Sequence, residues 1–391
     1  MKKRIIIVGT QMISVGVPAA LVGILDKFDY TRYDVTLLLD DLSGEWMDRI
    51  PEEVLIKEFK LKRKLPYAWV LWVNPYKGKT SRKLFQVYRK IIRKAFEVFK
   101  VSQKKISDYV IRRYTLPEEE YDAVLHFRGD RKFMAEYAVK GIKAEKYVQW
   151  IHDERIRNKA DVHYDVAAYD KFFCVSASLK AVFDKAYPEC ANRSEVCYNQ
   201  VNVDQILDKA KEAVSDDRFA GDYKIVTVGR MVREKGFDLA VEAAKILKDD
   251  GLRFKWFFIG DGVCARQIRA QIEKCGLQED VIMLGSKPNP LPFVAAADLF
   301  VQPSRSEGYC LSLLEARVLC KPIVASELPA FKEQIINEKT GILTHCDAEN
   351  IAGQIGRVMA DKTLAEYLSD NLKKEPVDFS SEMDKIYAYL G

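Results

Sequence analysis

The stretch from Ala297 to Ser326, "ADLFVQPSRSEGYCLSLLEARVLCKPIVAS", decides the fold. Its ends, "ADLFVQPS" and "PIVAS", are short apolar runs typical of buried strands, and the span from Leu311 to Leu319 between them is predicted to be a helix. Strand, helix and strand in this order form a βαβ unit of a parallel sheet. The loop after the first strand then lies at the carboxyl edge of the sheet, where α/β proteins bind ligands.

Two carboxylates stand out in this unit. Glu307 falls in the predicted loop, and Glu315 falls one to two turns inside the predicted helix. A helical glutamate between Leu314 and Ala316 is usually a solvent-facing residue. Spacing alone therefore leaves open whether the two acids bind a ligand together.

The same alternation of strands and helices extends over the whole chain of 391 residues. It opens with "IIIVG", "AALVGILDKF" and "YDVTLLLDD", and it restarts at "YKIVTVGR" after a charged stretch from 204 to 222. The uncharged segment 5–25 superficially resembles a signal peptide or anchor, but its polar, glycine-containing interior favours strand, loop and helix. The sequence predicts two α/β halves with a boundary near 200–222.

Composition narrows the function classes. The eight cysteines form no C-x-x-C pair and are accompanied by only four histidines, which predicts reduced thiols in a cytoplasmic protein rather than a zinc site or disulfides. The chain has no Walker A sequence, no G-x-G-x-x-G after the first strand and no D-x-D motif. P-loop ATPase and common NAD-binding functions therefore lack their sequence signatures.

Charge is concentrated in the segment from Lys57 to Arg113. It holds 18 lysines and arginines against three acids, a net charge of +15, while the chain as a whole carries +5. Aliphatic and aromatic residues recur there at helical spacing between the cations, as in an interfacial helix on an anionic membrane. An amphipathic helix on its own sheet with a solvated basic face is the alternative. No recognised motif for nucleic acid accompanies the cations.

Two further cations follow a predicted strand in "TVGRMVREKGFD". Arg230 comes directly after the strand, and Lys235 ends the loop beside Gly236. Fixed positive charge at a sheet edge suits a diphosphate, because a departing phosphate gains negative charge. Without further context, ordinary surface charges explain the pair equally well.

The combined motifs identify a family. "GRMVREKGFDLAVEAAKIL", "FFIGDG", "VIMLGS", the opening stretch and "EKTGILT", in this order, resemble the donor-binding half of family 4 retaining glycosyltransferases, over roughly residues 224–360. This resemblance implies the GT-B fold, an α/β architecture of two Rossmann-like domains facing across a cleft. The N-terminal, acceptor-binding domain would comprise 1–203 and 372–391, because the C-terminal helix crosses back to it, and the donor-binding domain would comprise 204–371.

The resemblance also implies roles in binding a nucleotide-sugar donor. Glu307 would accept hydrogen bonds from the sugar hydroxyls, and Glu315 would hold the ribose hydroxyls. Arg230 and Lys235 would stabilise the leaving diphosphate, so no metal and no other cofactor is expected. Lys287 lies in the expected base pocket, 286–290. Backbone amides at the helix N-terminus would contact the sugar and diphosphate; these belong to Gly308, Tyr309, Cys310 and Leu311.

In the first domain, the resemblance singles out three residues. Gly16 matches the glycine-rich loop over the donor phosphates, although the family usually has two adjacent glycines. His152, at a predicted strand end in "QWIHDE", matches a histidine beside the anomeric centre. Asp153 is expected to orient that imidazole or the acceptor.

Two cysteines depart from the family pattern. Cys310 and Cys320 stand where many relatives have glycine. Because a cysteine can make the glycine's backbone contact only if φ is negative, we expect a different loop geometry around Cys320. We also expect both thiols to be small buried residues without an activating base.

The expected function is transfer of a sugar, with retention, from a UDP-sugar or next a GDP-sugar to an acceptor in assembly of a cell-surface polysaccharide. The expected acceptor is a lipid-linked glycan, and a soluble acceptor is the alternative. The basic segment 57–113 would hold the protein on the inner face of the cell membrane. No nucleic-acid partner is expected. Two alternatives remain, a sugar-nucleotide epimerase of the same fold and a non-catalytic partner of an active glycosyltransferase.

Overall fold

A computed structural model describes residues 1–9, 11–12, 16–39, 41–59, 111, 117–127, 132–153, 156 and 165–391. Almost all of the basic segment 57–113 lies outside the described residues, so its predicted membrane contact stays a prediction. No helix in the described part of the chain is long and apolar enough to cross a bilayer.

The first domain is built on a seven-stranded sheet whose pairings are all parallel. Its strand order is β3-β2-β1-β4-β5-β6-β7. The strands are near-continuous apolar runs because helices cover both faces of a parallel sheet. They are β1 (Lys3–Val8), β2 (Tyr33–Leu39), β3 (Leu55–Glu58), β4 (Tyr121–His126), β5 (Ala144–Ile151), β6 (Lys171–Cys174) and β7 (Ser194–Val196).

The second domain is built on a separate six-stranded parallel sheet with the order β10-β9-β8-β11-β12-β13. The order reverses between β8 and β11, which pair directly with each other. Its strands are β8 (Lys224–Val228), β9 (Lys255–Ile259), β10 (Val281–Gly285), β11 (Leu299–Gln302), β12 (Ile323–Ser326) and β13 (Ile342–Thr344).

Helices connect the strands of both sheets. The helix predicted over Leu311 to Leu319 ends one residue earlier, and the predicted Gly16 loop differs because Gly16 is itself the first residue of a helix. The α-helices are α1 (Gly16–Leu25), α2 (Lys132–Lys140), α3 (Ala177–Ala186), α4 (Val203–Ala210), α5 (Phe237–Asp249), α6 (Ala265–Lys274), α7 (Leu291–Ala295), α8 (Leu311–Val318), α9 (Pro329–Lys332), α10 (Ala348–Ala360), α11 (Lys362–Lys374) and α12 (Ser380–Leu390).

The last helix, α12, returns to the first domain, as predicted. Met383, Ile386 and Leu390 join the hydrophobic core that covers the first sheet. The carboxylate of Glu382 accepts a hydrogen bond from the backbone N–H of Tyr198, at 2.9 Å. The predicted fold class of two Rossmann-like domains with a crossing C-terminal helix is therefore confirmed, while the residue limits of the domains stay predictions.

The loop and helix that follow β11 pack against the first domain. Tyr309, Leu311 and Leu314, which follow β11 of the second sheet, belong to the hydrophobic core of the first domain. The second domain keeps two cores of its own, one on each face of its sheet. The segment that leaves β11 is thus packed between the domains rather than exposed in solvent.

A glycine fixes the turn after β8. Gly236 has φ 68°, and a Cβ there would lie 1.9 Å from the carbonyl oxygen of Pro303. Only glycine fits this position, since both the backbone conformation and the approach of the β11 loop exclude a side chain. This glycine therefore determines how closely the loops after β8 and β11 approach.

We predict that Gly236→Ala destabilises the protein more than Gly251→Ala does. Gly251 also has positive φ, 79°, but no atom lies within 4 Å of its Cβ position. The control should cost about 1 kcal/mol for the backbone conformation alone. Gly236→Ala should cost roughly 1–3 kcal/mol more because of the overlap. Urea denaturation measures both, and equal costs would contradict the close approach.

Candidate functional site

The switch in strand order positions the candidate site. Lys235 follows β8 and Glu307 follows β11, and these two strands are neighbours whose carboxyl ends meet at one edge. The Nζ atom of Lys235 lies 2.6 Å from Oε1 of Glu307, and these side chains are only 18% and 9% exposed. Residues that are 72 positions apart thus form an ion pair where doubly wound sheets bind ligands.

A second ion pair also joins the segments that follow β8 and β11. The guanidinium of Arg305 donates to both carboxylate oxygens of Asp238, at 2.6 and 2.7 Å, and also to the carbonyl oxygen of Arg233, at 3.0 Å. Bidentate pairs of this kind fix orientation as well as distance. They anchor the short 3₁₀ helix Arg233–Lys235, so Lys235 is directed at Glu307.

A series of hydrogen bonds between polar side chains orients the carboxylate of Glu307. Ser304 Oγ donates to the same Oε1 atom at 2.8 Å, and Gln302 Nε2 donates to Ser304 Oγ at 2.9 Å. Ser312 Oγ in turn donates to Gln302 Oε1 at 3.3 Å. Within the described residues, the other carboxylate oxygen of Glu307 accepts no hydrogen bond, and it can serve a ligand.

Lys235 keeps its charge despite burial. Burial alone lowers the pKa of this ammonium group, but the neighbouring acidic groups of Cys310 and Glu307 outweigh it, so the pKa lies above its ordinary value. Burial also raises the pKa of the Cys310 thiol to about 11. The site therefore holds a fixed cation beside an unreactive thiol.

Residues 308–311, the loop expected to bind the donor and called the donor loop below, have a conformation that the sequence did not predict. Cys310 has φ 69° and Cys320 has φ 51°, so both residues adopt the left-handed conformation that glycine favours. Burial of Cys310 beside Lys235 and Ser312 holds its residue in the glycine-like region, at a cost of roughly 1–2 kcal/mol. Cys320 is only partly buried, which corrects the second expectation for that thiol.

The donor loop also contacts the first domain. A Cβ on Gly308 would lie 2.0 Å from the carbonyl oxygen of His152, so this position admits only glycine. The ring of Tyr309 packs against Tyr198, with centroids 5.4 Å apart. Leu311 is the first residue of α8, so the N-terminus of that helix directly follows this junction. The loop that is expected to bind the donor is thus also the domain interface.

Glu315 lies on α8 and is partly buried without a hydrogen-bond partner among the described residues. Burial raises the pKa of this carboxyl group to about 7 from its ordinary 4.5, although the positive charges of Arg49 and Lys209 oppose the rise. Arg49 belongs to the first domain, and its guanidinium donates to Pro288 O at 3.1 Å. A carboxylate that is desolvated but unpaired is typical of a binding site.

The other expected donor-binding residues differ in their surroundings. Arg230 is exposed at the end of β8 and forms no ion pair within the described part of the chain. Lys287 is paired with Asp216 at 2.7 Å, and both side chains are mostly buried. Gly16 is exposed, and its Cβ position has no neighbour within 4 Å. The structure thus brings Lys235 and Glu307 together but gives Lys287 a structural partner.

His152 lies at the end of β5, as expected, on the first-domain side of the cleft. Its Nε2 atom donates to the carbonyl oxygen of Phe127 at 2.7 Å, and its ring contacts the Phe127 ring edge-on at 4.7 Å. These contacts fix the ring orientation and place the proton on Nε2. Asp153 follows directly and is partly buried.

Sequence reasoning missed several residues that build the site. Arg305 and Asp238 were not singled out, although "PSRSEG" and "KGFD" flank the residues that were. Glu333, which contacts the first domain, also carries no local motif. Among the described residues, no group of three His, Cys, Asp or Glu side chains is placed to hold a metal ion.

Solved structures of similar fold show the class of architecture to which the protein belongs. Over 99% of both chains, the structure is similar to that of Anabaena HepE in complex with UDP-glucose, with a TM-score of 0.70 and 16% sequence identity. Over 99% of both chains it is also similar to WaaG, a glycosyltransferase involved in lipopolysaccharide biosynthesis, with a TM-score of 0.66 and 15% identity. The architecture is therefore that of the GT-B glycosyltransferases.

Sequence comparison gives a family match for part of the chain. Residues 208–375 match the profile of the family described as glycosyl transferases group 1, so the chain contains a glycosyltransferase group 1 domain. An uncharacterized glycosyltransferase of Methanocaldococcus jannaschii, MJ1178, is 29% identical over 245 residues, 60% of this chain and 64% of that protein.

A second relative has a more detailed name. The N-acetylgalactosamine-N,N'-diacetylbacillosaminyl-diphospho-undecaprenol 4-alpha-N-acetylgalactosaminyltransferase of Campylobacter jejuni is 29% identical over 160 residues, 40% of this chain and 42% of that protein. The matches thus span less than two thirds of the length of these two relatives.

We predict that Glu315→Gln stabilises the protein more at pH 8 than at pH 5. The raised pKa means that the ionised form is disfavoured in the folded state, so stability that is present below about pH 4.5 is lost as the pH rises toward 7. Glutamine mimics the protonated acid. The gain at pH 8 should reach at most roughly 3 kcal/mol.

Urea denaturation at both pH values measures this difference. Glu366→Gln, on the exposed surface of α11, is the control and should change stability equally little at either pH. An effect of Glu315→Gln that is independent of pH would contradict the raised pKa.

Proposed function

We propose that the chain is a retaining glycosyltransferase that moves a hexosyl group from a nucleotide-diphosphate sugar to a lipid-linked glycan in cell-surface polysaccharide synthesis. One observation carries the proposal: Lys235 and Glu307 are paired at the switch point, with Glu315 desolvated on the helix that follows. A cation for the diphosphate, an acceptor for the sugar hydroxyls and an acceptor for the ribose hydroxyls are the groups that a sugar nucleotide needs.

The proposed donor-binding residues contact different parts of the sugar nucleotide according to their charge. The second carboxylate oxygen of Glu307 accepts from a sugar hydroxyl, because its first oxygen is already held by Lys235 and Ser304. Glu315 accepts from the ribose hydroxyls in its ionised form. Amides at the N-terminus of α8 meet the diphosphate, as helix N-termini do for anions.

Lys235 and Arg230 supply the positive charge that the leaving diphosphate needs. Lys235 remains charged in its buried position, and Arg230 is exposed at the same sheet edge without a competing acid among the described residues. Preorganised charge of this kind acts without rearrangement as the bond breaks. We therefore propose that transfer needs no divalent metal ion.

The reaction breaks the bond between the anomeric carbon and the phosphate oxygen. An acceptor hydroxyl forms the new bond from the face that the diphosphate leaves, and a phosphate oxygen takes the hydroxyl proton, so the configuration is retained. His152 and Asp153 line the first-domain side, where His152 meets the donor loop. His152 there orients the sugar through its fixed ring.

The donor is proposed to be a UDP-sugar first and a GDP-sugar next, since HepE is similar in fold and its structure contains UDP-glucose. A lipid-linked acceptor is supported by the undecaprenol diphosphate in the name of the Campylobacter relative. Polysaccharide assembly is supported by the names of the colanic acid glycosyltransferase WcaL and the capsular enzyme CapM. The basic segment 57–113 would place the protein on the inner membrane face.

We predict that one nucleoside diphosphate raises the melting temperature of the purified protein in EDTA. UDP, GDP, ADP, CMP and their sugar conjugates are compared by thermal shift. Binding stabilises by about 2.7 kcal/mol at a hundredfold excess over the dissociation constant. Glu315→Gln should reduce the shift because an amide holds the ribose hydroxyls less well, and Glu366→Gln should leave it unchanged.

A shift that appears only with added Mg²⁺ would refute metal independence. If no nucleotide raises the melting temperature, the proposed enzymatic function is refuted. The protein would then be a non-catalytic partner of an active glycosyltransferase.

We predict that Lys235→Met lowers turnover roughly a hundred- to a thousandfold, as does loss of one preorganised donor to a developing negative charge. Donor KM should change less, since the charge acts mainly in the transition state. Release of nucleoside diphosphate from the sugar nucleotide with the largest thermal shift measures both. Lys245→Met removes an exposed lysine of α5 as the control. Unchanged turnover in Lys235→Met would rule out its role.

A further inference from the structure

One carboxylate of the second domain binds the first domain directly. Glu333 follows α9, and its Oε2 atom accepts from the backbone N–H of Ala177 at 2.7 Å. Its Oε1 atom accepts from the N–H of Ser178 at 2.8 Å. Ala177 and Ser178 are the first two residues of α3, so Glu333 caps a helix that belongs to the other domain.

This cap completes a helix terminus. The first amides of a helix lack partners within the helix and carry partial positive charge. Ser176, the local cap of α3, satisfies only the N–H of Leu179 with its hydroxyl, at 3.1 Å. The amides of Ala177 and Ser178 therefore depend on Glu333. They are paired only while the two domains stand in this arrangement.

The residue after Glu333 holds the donor loop. Gln334 is buried, and its Nε2 atom donates to the carbonyl oxygen of Tyr309. Tyr309 packs on Tyr198 of the first domain, and Gly308 beside it contacts the carbonyl oxygen of His152. Two consecutive residues thus connect the first domain to the loop at the N-terminus of α8.

We propose that Glu333 is a positioning residue that holds the domains closed around the donor loop, so that His152 and the loop face each other when the sugar is transferred. The inference rests on the proposed function for its catalytic consequence. Its structural part, closure through the cap on α3, stands on the contacts alone. Hydrogen bonds from backbone amides to a carboxylate are strong enough to shift such an equilibrium.

Three variants test the proposal. Glu333→Ala removes both acceptor atoms, and Glu333→Gln keeps one acceptor oxygen and the size of the side chain. Glu327→Ala is the matched control, because Glu327 precedes the same short helix but pairs with Lys332 on the exposed surface of its own domain. Thermal unfolding verifies that each variant is folded.

The first measurement is hydrogen exchange of the amides of Ala177 and Ser178, together with small-angle X-ray scattering, with and without UDP. In Glu333→Ala, exchange at these two amides should accelerate roughly ten- to a hundredfold, the worth of hydrogen bonds to a charged group. The radius of gyration should increase. Glu333→Gln should lie between Glu333→Ala and the parent protein, and Glu327→Ala should equal the parent.

The second measurement separates positioning from folding. With the sugar nucleotide selected by thermal shift, Glu333→Ala should lower turnover by roughly tenfold or more. The UDP dissociation constant should rise by a smaller factor, about threefold at most, because the proposed UDP-binding residues belong to the second domain and closure affects them only through linkage. Partial recovery in Glu333→Gln would support the role. A lowered melting temperature with unchanged turnover and unchanged scattering would overturn it.

The two proposals fail in different ways. If the parent protein binds no nucleotide, the proposed function is refuted, while the exchange rates of Ala177 and Ser178 still test the cap. If nucleotide binds and turnover proceeds but Glu333→Ala leaves exchange and turnover unchanged, only the positioning role of Glu333 is refuted.

Discussion

The ion pair between Lys235 and Glu307 is the interaction on which the candidate site depends. It joins two loops that leave neighbouring strands, and it forms only because β8 and β11 are adjacent in the sheet order. Burial of each ion costs roughly several kcal/mol in lost hydration, which the attraction between the two charges must offset. A buried ion pair is therefore weak evidence for stability. Its value lies in geometry, since it keeps a cation and an oriented carboxylate at the carboxyl edge of the sheet.

The surrounding residues make sense as support for this pair. Arg305 and Asp238 fix the backbone that carries Lys235, and Ser304 fixes the carboxylate of Glu307. Glu315 is different, because nothing in the described residues satisfies it and burial raises its pKa to about 7. Glu307 is thus held through one of its oxygens, whereas Glu315 has no hydrogen-bond partner among the described residues. This difference fits the proposed roles, in which Glu307 orients the sugar and Glu315 accepts hydrogen bonds from the ribose hydroxyls.

Much of the fold could be predicted from the sequence, because parallel strands are short apolar runs and the helices between them have a clear period. The pairing of Lys235 with Glu307 follows from the strand order once that order is known. The pairing of Lys287 with Asp216 could not be predicted, since it joins loops 71 residues apart without a motif. The positive φ of Cys310 could not be predicted, because local preference yields to tertiary packing, which holds that thiol beside Lys235 and Ser312.

Packing also explains why the donor loop and the domain arrangement cannot be separated. Tyr309, Leu311 and Leu314 belong by sequence to the βαβ unit of the second domain, yet they are buried in the core of the first domain. Opening the cleft would expose these apolar side chains, at about 25 cal/mol per Å² of surface. It would also release Gly308 from the carbonyl oxygen of His152. Any ligand that needs the loop in its present conformation therefore favours the closed arrangement, and closure favours that conformation in return, as linkage requires.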